Sequence, residues 1–384
     1  MSEHAVIVDR RRDEFPMLAD GIYLLAHSLG PMPRSARAAM QQYLDEWEGH
    51  TKCDAWESAW WGLSEELGDS IGGLITAPKG SVLPTGNATL AMATVASCFE
   101  YSDKRPNVVT TALDFPSMGY LWRAQERLGA QIVQVPSEDG ITVDEQRVVD
   151  AIDERTALVA VSHTSYRSSF RIDPAPIIAR AHEVGAMVCL DAYQSAGAVE
   201  IDAAGWEVDF MIGGSIKWLL GGPSCGWLYV RPELYGSLEP RLTGWFGHDN
   251  PFEFSHDAVR YAQGIRRFAN GTASIPGLYS FKAGVELVAQ VDVESIAAES
   301  RRRTQGIIDS AQDMSWPVRS PLDANRRGGT VMLGFEQPHA VASALREKGV
   351  FVDWRPGVGI RLSLHFYNTD EEVEAALEQI RSCV

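Results

Sequence analysis

The chain has 384 residues, with 51 acidic and 34 basic side chains, a formal net charge of −17 and a hydrophobic share of 45%. This is the composition of an ordinary globular protein, and the acidic excess disfavours nucleic acid and anionic membrane surfaces as partners. The length predicts about two or three domains, and function is expected in a pocket for a small molecule.

Helical patterns occupy residues 34–49 and 56–74. From about residue 80, short apolar and β-branched runs alternate with helix-period segments, as in a doubly wound α/β domain. The runs are nearly all apolar, which is typical of parallel strands covered by helices on both faces. The predicted strands are 108–111, 131–135, 158–162, 187–190, 210–213 and 226–230.

Helices are predicted between these strands at 118–128 and 174–184. The C-terminal third combines a long helix after Pro276 with a strand at 330–335, a strand at 359–366 and a last helix at 370–381. These patterns predict a large α/β domain over 50–265 and a small α+β domain over 266–384. Residues 1–49 are expected to form an N-terminal segment that packs near the junction of the two.

Five cysteines are widely spaced and form no CxxC pair, which argues against a disulfide framework and against a metal site. No apolar run reaches the roughly 18 residues of a membrane span, and the first residues lack the apolar core of a signal peptide. We therefore expect a cytoplasmic protein without bound metal, membrane partner or nucleic acid.

Asp191 and Lys217 carry the strongest chemical signal. Each follows a predicted strand, so both are expected at the carboxyl ends of the strands, where open α/β sheets bind ligands. Pyridoxal 5'-phosphate (PLP) needs such a pair, a lysine for the Schiff base and an acid that keeps the pyridinium nitrogen protonated. The apolar neighbours Ile216 and Trp218 argue against an ordinary surface lysine, because an unreacted ammonium is costly among them.

A phosphate site is predicted at the turn before an apolar helical run at 88–99. The backbone N–H groups of Asn87, Ala88 and Thr89, together with the helix dipole, can hold a phosphate dianion. A glycine turn before a helix is weak support by itself. Beside Asp191 and Lys217 it strengthens the prediction of a PLP site.

Several motifs carry a family resemblance. DAYQSAG at 191–197 and SHTSY at 162–166 are similar to motifs of the class V group of fold-type I PLP-dependent enzymes, which residues from about 22 to 380 resemble. The segments 23–30, 114–117, 244–248 and 366–369 are similar to kynureninase in particular. The resemblance implies the fold-type I PLP-dependent transferase fold, with a mainly parallel seven-stranded sheet in the large, PLP-binding domain.

The resemblance also implies roles for individual residues. Phe115 is expected to stack on the cofactor ring, an arrangement that contributes about 0.5–1.5 kcal/mol beyond area burial, while Gln194 bonds the ring hydroxyl. Trp245 and the turn of Asn270 and Thr272 are expected to reach the phosphate of a neighbouring subunit, which implies a homodimer with shared active sites. Further residues expected to bind the cofactor are Ser117, Ser165 and Ser215.

Arg361 lies in a strict alternation over 360–365 that places it on the opposite face from Ile360. The resemblance implies that its planar guanidinium holds the substrate α-carboxylate in a bidentate pair. Arg355 is the rival for this role. Ser28 and His50 match positions that line the pocket for the aromatic ring in kynureninases, although an exposed histidine at a helix end is an equal reading of His50.

Three positions depart from kynureninases. Ile216 replaces a tyrosine, Met118 replaces an acid and Gln194 replaces a histidine. Fewer side chains can therefore donate or accept protons during hydrolytic cleavage, whereas the residues that hold the cofactor, here called the cofactor platform, remain. A cysteine desulfurase is disfavoured, because residues 325–330 contain no cysteine and Phe115 stands where those enzymes stack a histidine.

The leading prediction is a PLP-dependent enzyme that acts on an L-amino acid through an external aldimine, with Lys217 and Asp191 as catalytic residues. Its expected reaction is kynureninase-like hydrolytic cleavage between Cβ and Cγ. A class V aminotransferase and a C–S or C–C β-lyase remain alternatives, since both need only the retained platform. A homologue that binds the cofactor or a metabolite without turnover is the alternative from another class.

Overall fold

A computed structural model describes residues 11–49 and 55–384. The strands are β1 (Ile22–Tyr23), β2 (Val82–Thr85), β3 (Asn107–Thr111), β4 (Gln131–Val135), β5 (Thr156–Ser162), β6 (Met187–Asp191), β7 (Phe210–Gly214), β8 (Gly226–Val230), β9 (Thr330–Leu333), β10 (Val350–Phe351), β11 (Asp353–Arg355) and β12 (Gly359–Ser363). The α-helices are α1 (Arg34–Gly49), α2 (Trp61–Leu74), α3 (Ala88–Ala96), α4 (Pro116–Ala124), α5 (Glu145–Asp150), α6 (Pro174–Glu183), α7 (Ile275–Val291), α8 (Val293–Asp313), α9 (Pro338–Glu347) and α10 (Asp370–Arg381).

Seven strands form the central sheet, in the spatial order β2–β8–β7–β6–β5–β3–β4. The strands from β3 to β7 pair in parallel, whereas β8 is antiparallel to both of its neighbours. Every residue of β3, β7 and β8 is buried, as expected for strands with helices on both faces. The predicted fold class, an α/β fold with a mainly parallel seven-stranded sheet, is confirmed.

Most predicted elements begin and end within two residues of the observed ones. Two helices differ in helix type over part of their length, and one strand is shorter than predicted. The helix predicted over 118–128 is α-helical only from Pro116 to Ala124 and continues as a 3-10 turn to Leu128. The segment 56–74 opens with a π-helical turn at Trp56–Trp60. The strand predicted over 359–366 ends at Ser363, because the amide of His365 turns to the side chain of Asn368.

A smaller antiparallel sheet, in the order β11–β12–β9, forms a second layer with α8, α9 and α10. Its apolar core includes Ile308, Ile360 and Leu377. Phe281 of α7 belongs instead to the core of the large sheet. The three-part division of the chain stays a prediction, and this packing favours a small domain that begins after α7.

The segment around β1 connects the two sheets. Ile22 pairs in parallel with Val350 of β10, and Leu25 bridges to Ser363 at the end of β12. Five residues further on, the amide of Gly30 donates to the carbonyl of Ile216 at 2.7 Å. This segment therefore joins the small sheet to the backbone beside Lys217. No helix in residues 11–49 and 55–384 is both long enough and apolar enough to cross a bilayer.

Candidate active site

A cavity of ≈ 240 Å³ lies where β5, β6 and β7 end. Eight of the predicted site residues line it, although they come from separate parts of the chain. They are Asn87, Ala88, Thr89, Phe115, Ser117, Asp191, Gln194 and Lys217. The fold therefore brings together the lysine, the acid, the aromatic residue and the phosphate turn that the sequence suggested for a PLP site.

The half-buried Lys217 places its amine between two aromatic side chains. Its Nζ lies 4.3 Å from the ring centroid of Tyr193 and 5.7 Å from that of Phe115. Burial lowers the pKa of Lys217 to about 8, and the charge of Asp191 opposes this shift in part. Its amine therefore holds a neutral, nucleophilic fraction near physiological pH, as a Schiff-base lysine requires.

The backbone of Lys217 is held by the N-terminal segment. A Cβ placed on Gly30 would lie 2.3 Å from the carbonyl oxygen of Lys217, so only glycine permits this approach. The hydrogen bond from Gly30 to Ile216 fixes the same strand-to-loop junction. The position of the lysine thus depends on a segment about 190 residues earlier in the chain.

Asp191 ends β6 and is 7% exposed. Burial raises the pKa of its carboxyl group, while a hydrogen bond from the amide of Tyr193 (2.8 Å) and the charge of Lys217 lower it in part. A buried acid at the cavity wall is the partner that a protonated pyridinium nitrogen needs. The donor set therefore fits PLP at this position.

The phosphate turn lies directly against β8. Asn87 caps α3, since its Oδ1 accepts from the amide of Leu90 at 2.8 Å. The first N–H groups of this helix, from Ala88 and Thr89, lie at the cavity. A Cβ on Gly226 would lie 2.3 Å from the carbonyl carbon of Asn87 and 2.5 Å from the nitrogen of Ala88. The turn is thus placed by backbone contact and fits a phosphate dianion.

Gln194 already has partners at both ends of its amide. Its Nε2 donates to the carbonyl of His27 at 3.1 Å, and its Oε1 accepts from Nε1 of Trp218 at 2.9 Å. One N–H of the Gln194 amide remains for a ligand. A contact with the ring hydroxyl remains a prediction.

Two of the serines that are predicted to bind the cofactor, Ser165 and Ser215, form hydrogen bonds to backbone carbonyls. Oγ of Ser165 donates to Leu113 O at 3.2 Å, and Oγ of Ser215 lies 3.0 Å from Cys225 O. Neither lines the cavity. Their cofactor contacts also remain predictions.

Arg361 is 2% exposed and is paired within the chain. Its Nε and Nη2 donate to the two carboxylate oxygens of Asp353 at 2.7 and 2.5 Å, and its Nη1 donates to Tyr166 O at 3.0 Å. Burial would raise the pKa of Asp353, but bonds from His27 and Arg361 hold it well below its usual range. Arg355 is more exposed, and its Nη1 lies 3.1 Å from Asp353.

Four of the predicted site residues lie away from the cavity, and a fifth lies outside the residues that the structure describes. Asn270 and Thr272 line a separate open groove of ≈ 670 Å³, and Trp245 lines another depression of ≈ 390 Å³. Ser28 is half-buried two residues from Gly30 and does not line the cavity. His50 lies outside the described residues. The roles of all five stay predictions.

The sequence reasoning missed several residues of the site. Tyr193 and Tyr166 line the cavity, and Tyr193 could have been found, since it lies inside the DAYQSAG motif. Asp353 pairs with Arg361 across β11 and β12, and the three-residue strand that carries it gave no signal. Other cavity residues outside the predicted set are Met92, Ser162, Thr164 and Ile212.

Comparison with known proteins agrees with this geometry. The family profile described as aminotransferase class-V matches residues 22–376. The uncharacterised aminotransferase YcbU of Bacillus subtilis is 30% identical over 374 residues, which cover 97% of each chain. The kynureninase of Pseudomonas fluorescens is 30% identical over 386 residues, which cover 96% of this chain and 90% of that one.

Solved structures share the fold at lower identity. A cysteine desulfurase of Thermococcus onnurineus has a TM-score of 0.87 at 22% identity, with 97% of each chain covered. The cystine C–S lyase C-DES, in complex with its product cysteine persulfide, has a TM-score of 0.85 at 20% identity and covers 95% of this chain and 98% of its own. This chain belongs to the class-V aminotransferase family and is a PLP-dependent enzyme.

The contact between Gly226 and the phosphate turn generates the first prediction. Gly226→Ala forces the turn away from β8, and overpacking of this kind costs about 1–3 kcal/mol. Because the displaced turn must return to hold the phosphate, this cost opposes binding and weakens Kd for PLP by up to about five- to 150-fold. Absorbance titration of the apoenzyme with PLP measures it. Gly306→Ala is the matched control, because a Cβ there meets nothing within 4 Å. Unchanged affinity in a folded Gly226→Ala protein would contradict the proposed placement.

The lowered pKa of Lys217 generates the second. At pH 7 a pKa of about 8 leaves about a tenth of the amine neutral, against about one part in 3,000 for an ordinary lysine. The rate at which the apoenzyme reacts with PLP should therefore rise with pH and level off above about 8. Borohydride should then fix the label on Lys217. Lys217→Ala should abolish the absorbance band and Lys282→Ala should keep it, whereas a rise centred near pH 10.5 would refute the shift.

Proposed function

We propose that this enzyme hydrolyses the Cβ–Cγ bond of an L-amino acid with a carbonyl-bearing side chain, in the manner of a kynureninase. The observation that carries the proposal is the similarity to kynureninases over almost the whole chain, 30% identity with 96% of the chain covered. The cavity that unites Lys217, Asp191 and the phosphate turn supports it. Kynurenine is the substrate class that this likeness suggests.

The chain's own residues divide the work of such a reaction. Bound PLP supplies an electron sink that stabilises negative charge at the substrate Cα. Lys217, with its lowered pKa, is placed to take the proton from Cα. Asp191 holds a proton on the ring nitrogen, and Arg361 or Arg355 binds the α-carboxylate. The cavity wall is apolar in part, with Met92 and Ile212. The hydrolysis consumes one water, whose OH is added to Cγ and whose H is added to Cβ as the Cβ–Cγ bond breaks.

A proton donor for Cβ is the part that the substitutions at 216 and 118 put in question, because the bonding electrons stay on Cβ when the Cβ–Cγ bond breaks. Met118 is 1% exposed in the cavity wall and supplies no proton. Tyr193 lines the same cavity, and burial raises its pKa to about 12, so its phenol stays protonated at neutral pH. We assign to Tyr193 the proton donation that a tyrosine at position 216 would otherwise provide.

Transamination is the second candidate, and the similarity to YcbU over 97% of both chains favours it. An aminotransferase needs the lysine, the acid and a carboxylate anchor, and it needs no proton donor for Cβ because no bond to Cβ breaks. The two reactions therefore differ in whether Tyr193 is used. A C–S or C–C β-lyase would use the same platform and would release a leaving group without added 2-oxoacid.

The third prediction separates these reactions. The purified holoenzyme is incubated with L-kynurenine, 3-hydroxykynurenine and a panel of amino acids, with and without 2-oxoacids, and products are read by mass. We expect anthranilate and alanine from L-kynurenine, and a loss of at least about tenfold in kcat for Tyr193→Phe, since general acid catalysis contributes about 10²–10⁴-fold. Lys217→Ala is the inactive control.

Other outcomes each count against hydrolysis. Exchange that depends on a 2-oxoacid, without cleavage of the side chain, would establish an aminotransferase. Elimination products without a 2-oxoacid would establish a lyase. Protein that binds PLP and leaves every substrate unchanged would point to the non-catalytic alternative.

We further propose that the active enzyme is a homodimer with shared sites. Asn270 and Thr272 line a groove with Thr85 and Gly86, beside the phosphate turn but outside the cavity of their own chain. The exposed aromatic residues Trp245, Phe252 and Phe254 lie in the adjoining segment. A surface of this kind, largely apolar in the groove and aromatic beside it, suits a second copy of the chain.

The fourth prediction tests the shared site by mixing two inactive variants. Lys217→Ala removes the lysine, and Thr272→Asp places a carboxylate where the second copy's phosphate is proposed to lie. A mixed dimer carries both changes in one site and neither in the other, so equal mixing should restore about a quarter of wild-type activity. Exchange of the Cα proton of L-alanine for deuterium, followed by NMR, reads activity without assuming the overall reaction. A mixture no more active than its parents would argue against shared sites.

A further inference from the structure

The carboxylate of Asp353 organises two arginines and a histidine. Asp353 and Arg361 are paired residues of β11 and β12, so their side chains project on the same face of the small sheet. His27 Nε2 lies 2.9 Å from Oδ1 of Asp353, and Arg355 Nη1 lies 3.1 Å from Oδ2. One carboxylate thereby holds three cationic or polar groups from two separate segments of the chain.

The hydrogen bonds of Arg361 leave one end of its guanidinium available. Asp353 takes the edge formed by Nε and Nη2, and Tyr166 O takes one N–H of Nη1. One N–H of Nη1 and one N–H of Nη2 remain, and they form a second bidentate edge for a carboxylate when Tyr166 takes the N–H of Nη1 that points away from Nη2. Tyr166 lines the cavity, and the charge of Arg361 helps to lower the pKa of Lys217, so Arg361 lies near this cavity although it does not line it.

The cluster is also one negative charge short. Arg361 and Arg355 carry two positive charges against the single negative charge of Asp353. His27 is buried, and burial lowers its pKa to about 3, so it is neutral at pH 7. Arg361 is buried and its charge must be paired, whereas Arg355 is half-exposed and water compensates its charge in part. A single added carboxylate group would neutralise the cluster.

We propose that Asp353 is a positioning residue that fixes Arg361, so that the free end of its guanidinium receives one carboxylate group of the substrate. The inference rests on the proposed function only in that the substrate is an amino acid, whichever bond is then broken. A substrate with one carboxylate and no second anionic group fits this charge balance. The competing interpretation makes Asp353 an internal competitor that occupies the site of the substrate carboxylate.

The two interpretations predict effects of opposite sign for Asp353→Asn. The holoenzyme is titrated with L-alanine, the amino-acid product of the proposed cleavage, and the change in PLP absorbance gives Kd. If Asp353 positions Arg361, Kd for alanine rises at least about tenfold, while binding of ethylamine, which lacks the carboxylate, and affinity for PLP stay unchanged. Exchange of the Cα proton should show the effect in KM, with kcat within about threefold.

A double-mutant cycle shows whether Asp353 acts through Arg361. Arg361→Gln should weaken alanine binding, and adding Asp353→Asn to it should produce no further loss. Asp370→Asn is the matched control, because Asp370 also pairs with two arginines but lies on the surface of the small domain. It should leave Kd for alanine unchanged. If Asp353→Asn does not fold, Asp353→Glu is the second variant. Its extra methylene displaces Arg361 and should weaken the binding of alanine without weakening the binding of ethylamine.

Three results would overturn the proposal. A lower Kd for alanine in Asp353→Asn would identify Asp353 as a competitor. An equal loss of affinity for alanine and for ethylamine would show that Asp353 has only a structural role. If the wild type binds alanine no more tightly than ethylamine, the site has no carboxylate anchor. The absence of anthranilate, by contrast, would reject kynureninase chemistry and leave this inference standing.

Discussion

Burial of the Lys217 amine is the constraint on which the rest of the site depends. An ammonium group in this position loses its hydration, and the surrounding structure must either compensate its charge or favour its neutral form. Asp191 supplies a negative charge, and the faces of Tyr193 and Phe115 supply cation–π attraction. The compensation is incomplete, so the pKa is still lowered. The same shortfall that costs stability makes the amine reactive toward an aldehyde.

Backbone contacts, more than side-chain hydrogen bonds, fix the geometry around that lysine. Gly30 lies against the carbonyl of Lys217, and Gly226 lies against the phosphate turn. A Cβ at either position would come within 2.5 Å of backbone atoms. Close-packed backbone cannot shift as a flexible side chain can, so the distance from phosphate turn to lysine is set by the sheet itself. We therefore expect the main chain at these two contacts to move little when a ligand binds.

The sequence predicts the fold and the centre of the site because both leave local signals. Buried parallel strands appear as apolar runs, and Asp191 and Lys217 follow two of them. Strand β11 is only three residues long and half-buried, so the partner of Arg361 could not be read from periodicity. The two partners of Gln194 lie 167 positions before it and 24 after it, and no local pattern reports such contacts.

The choice between hydrolysis and transamination depends on where protons can be delivered. Both reactions need a neutral Lys217 and an anchored carboxylate, and the proposed role of Asp353 would apply equally to the substrates of either reaction. Hydrolysis also needs an acid that remains protonated near Cβ. Among the described residues of the cavity wall, Met118 cannot supply a proton, whereas a tyrosine with a pKa near 12 gives one up only to a strongly basic centre. The carbanion left at Cβ when the bond to Cγ breaks is such a centre, so Tyr193 would be idle in ordinary binding and active only when a bond breaks.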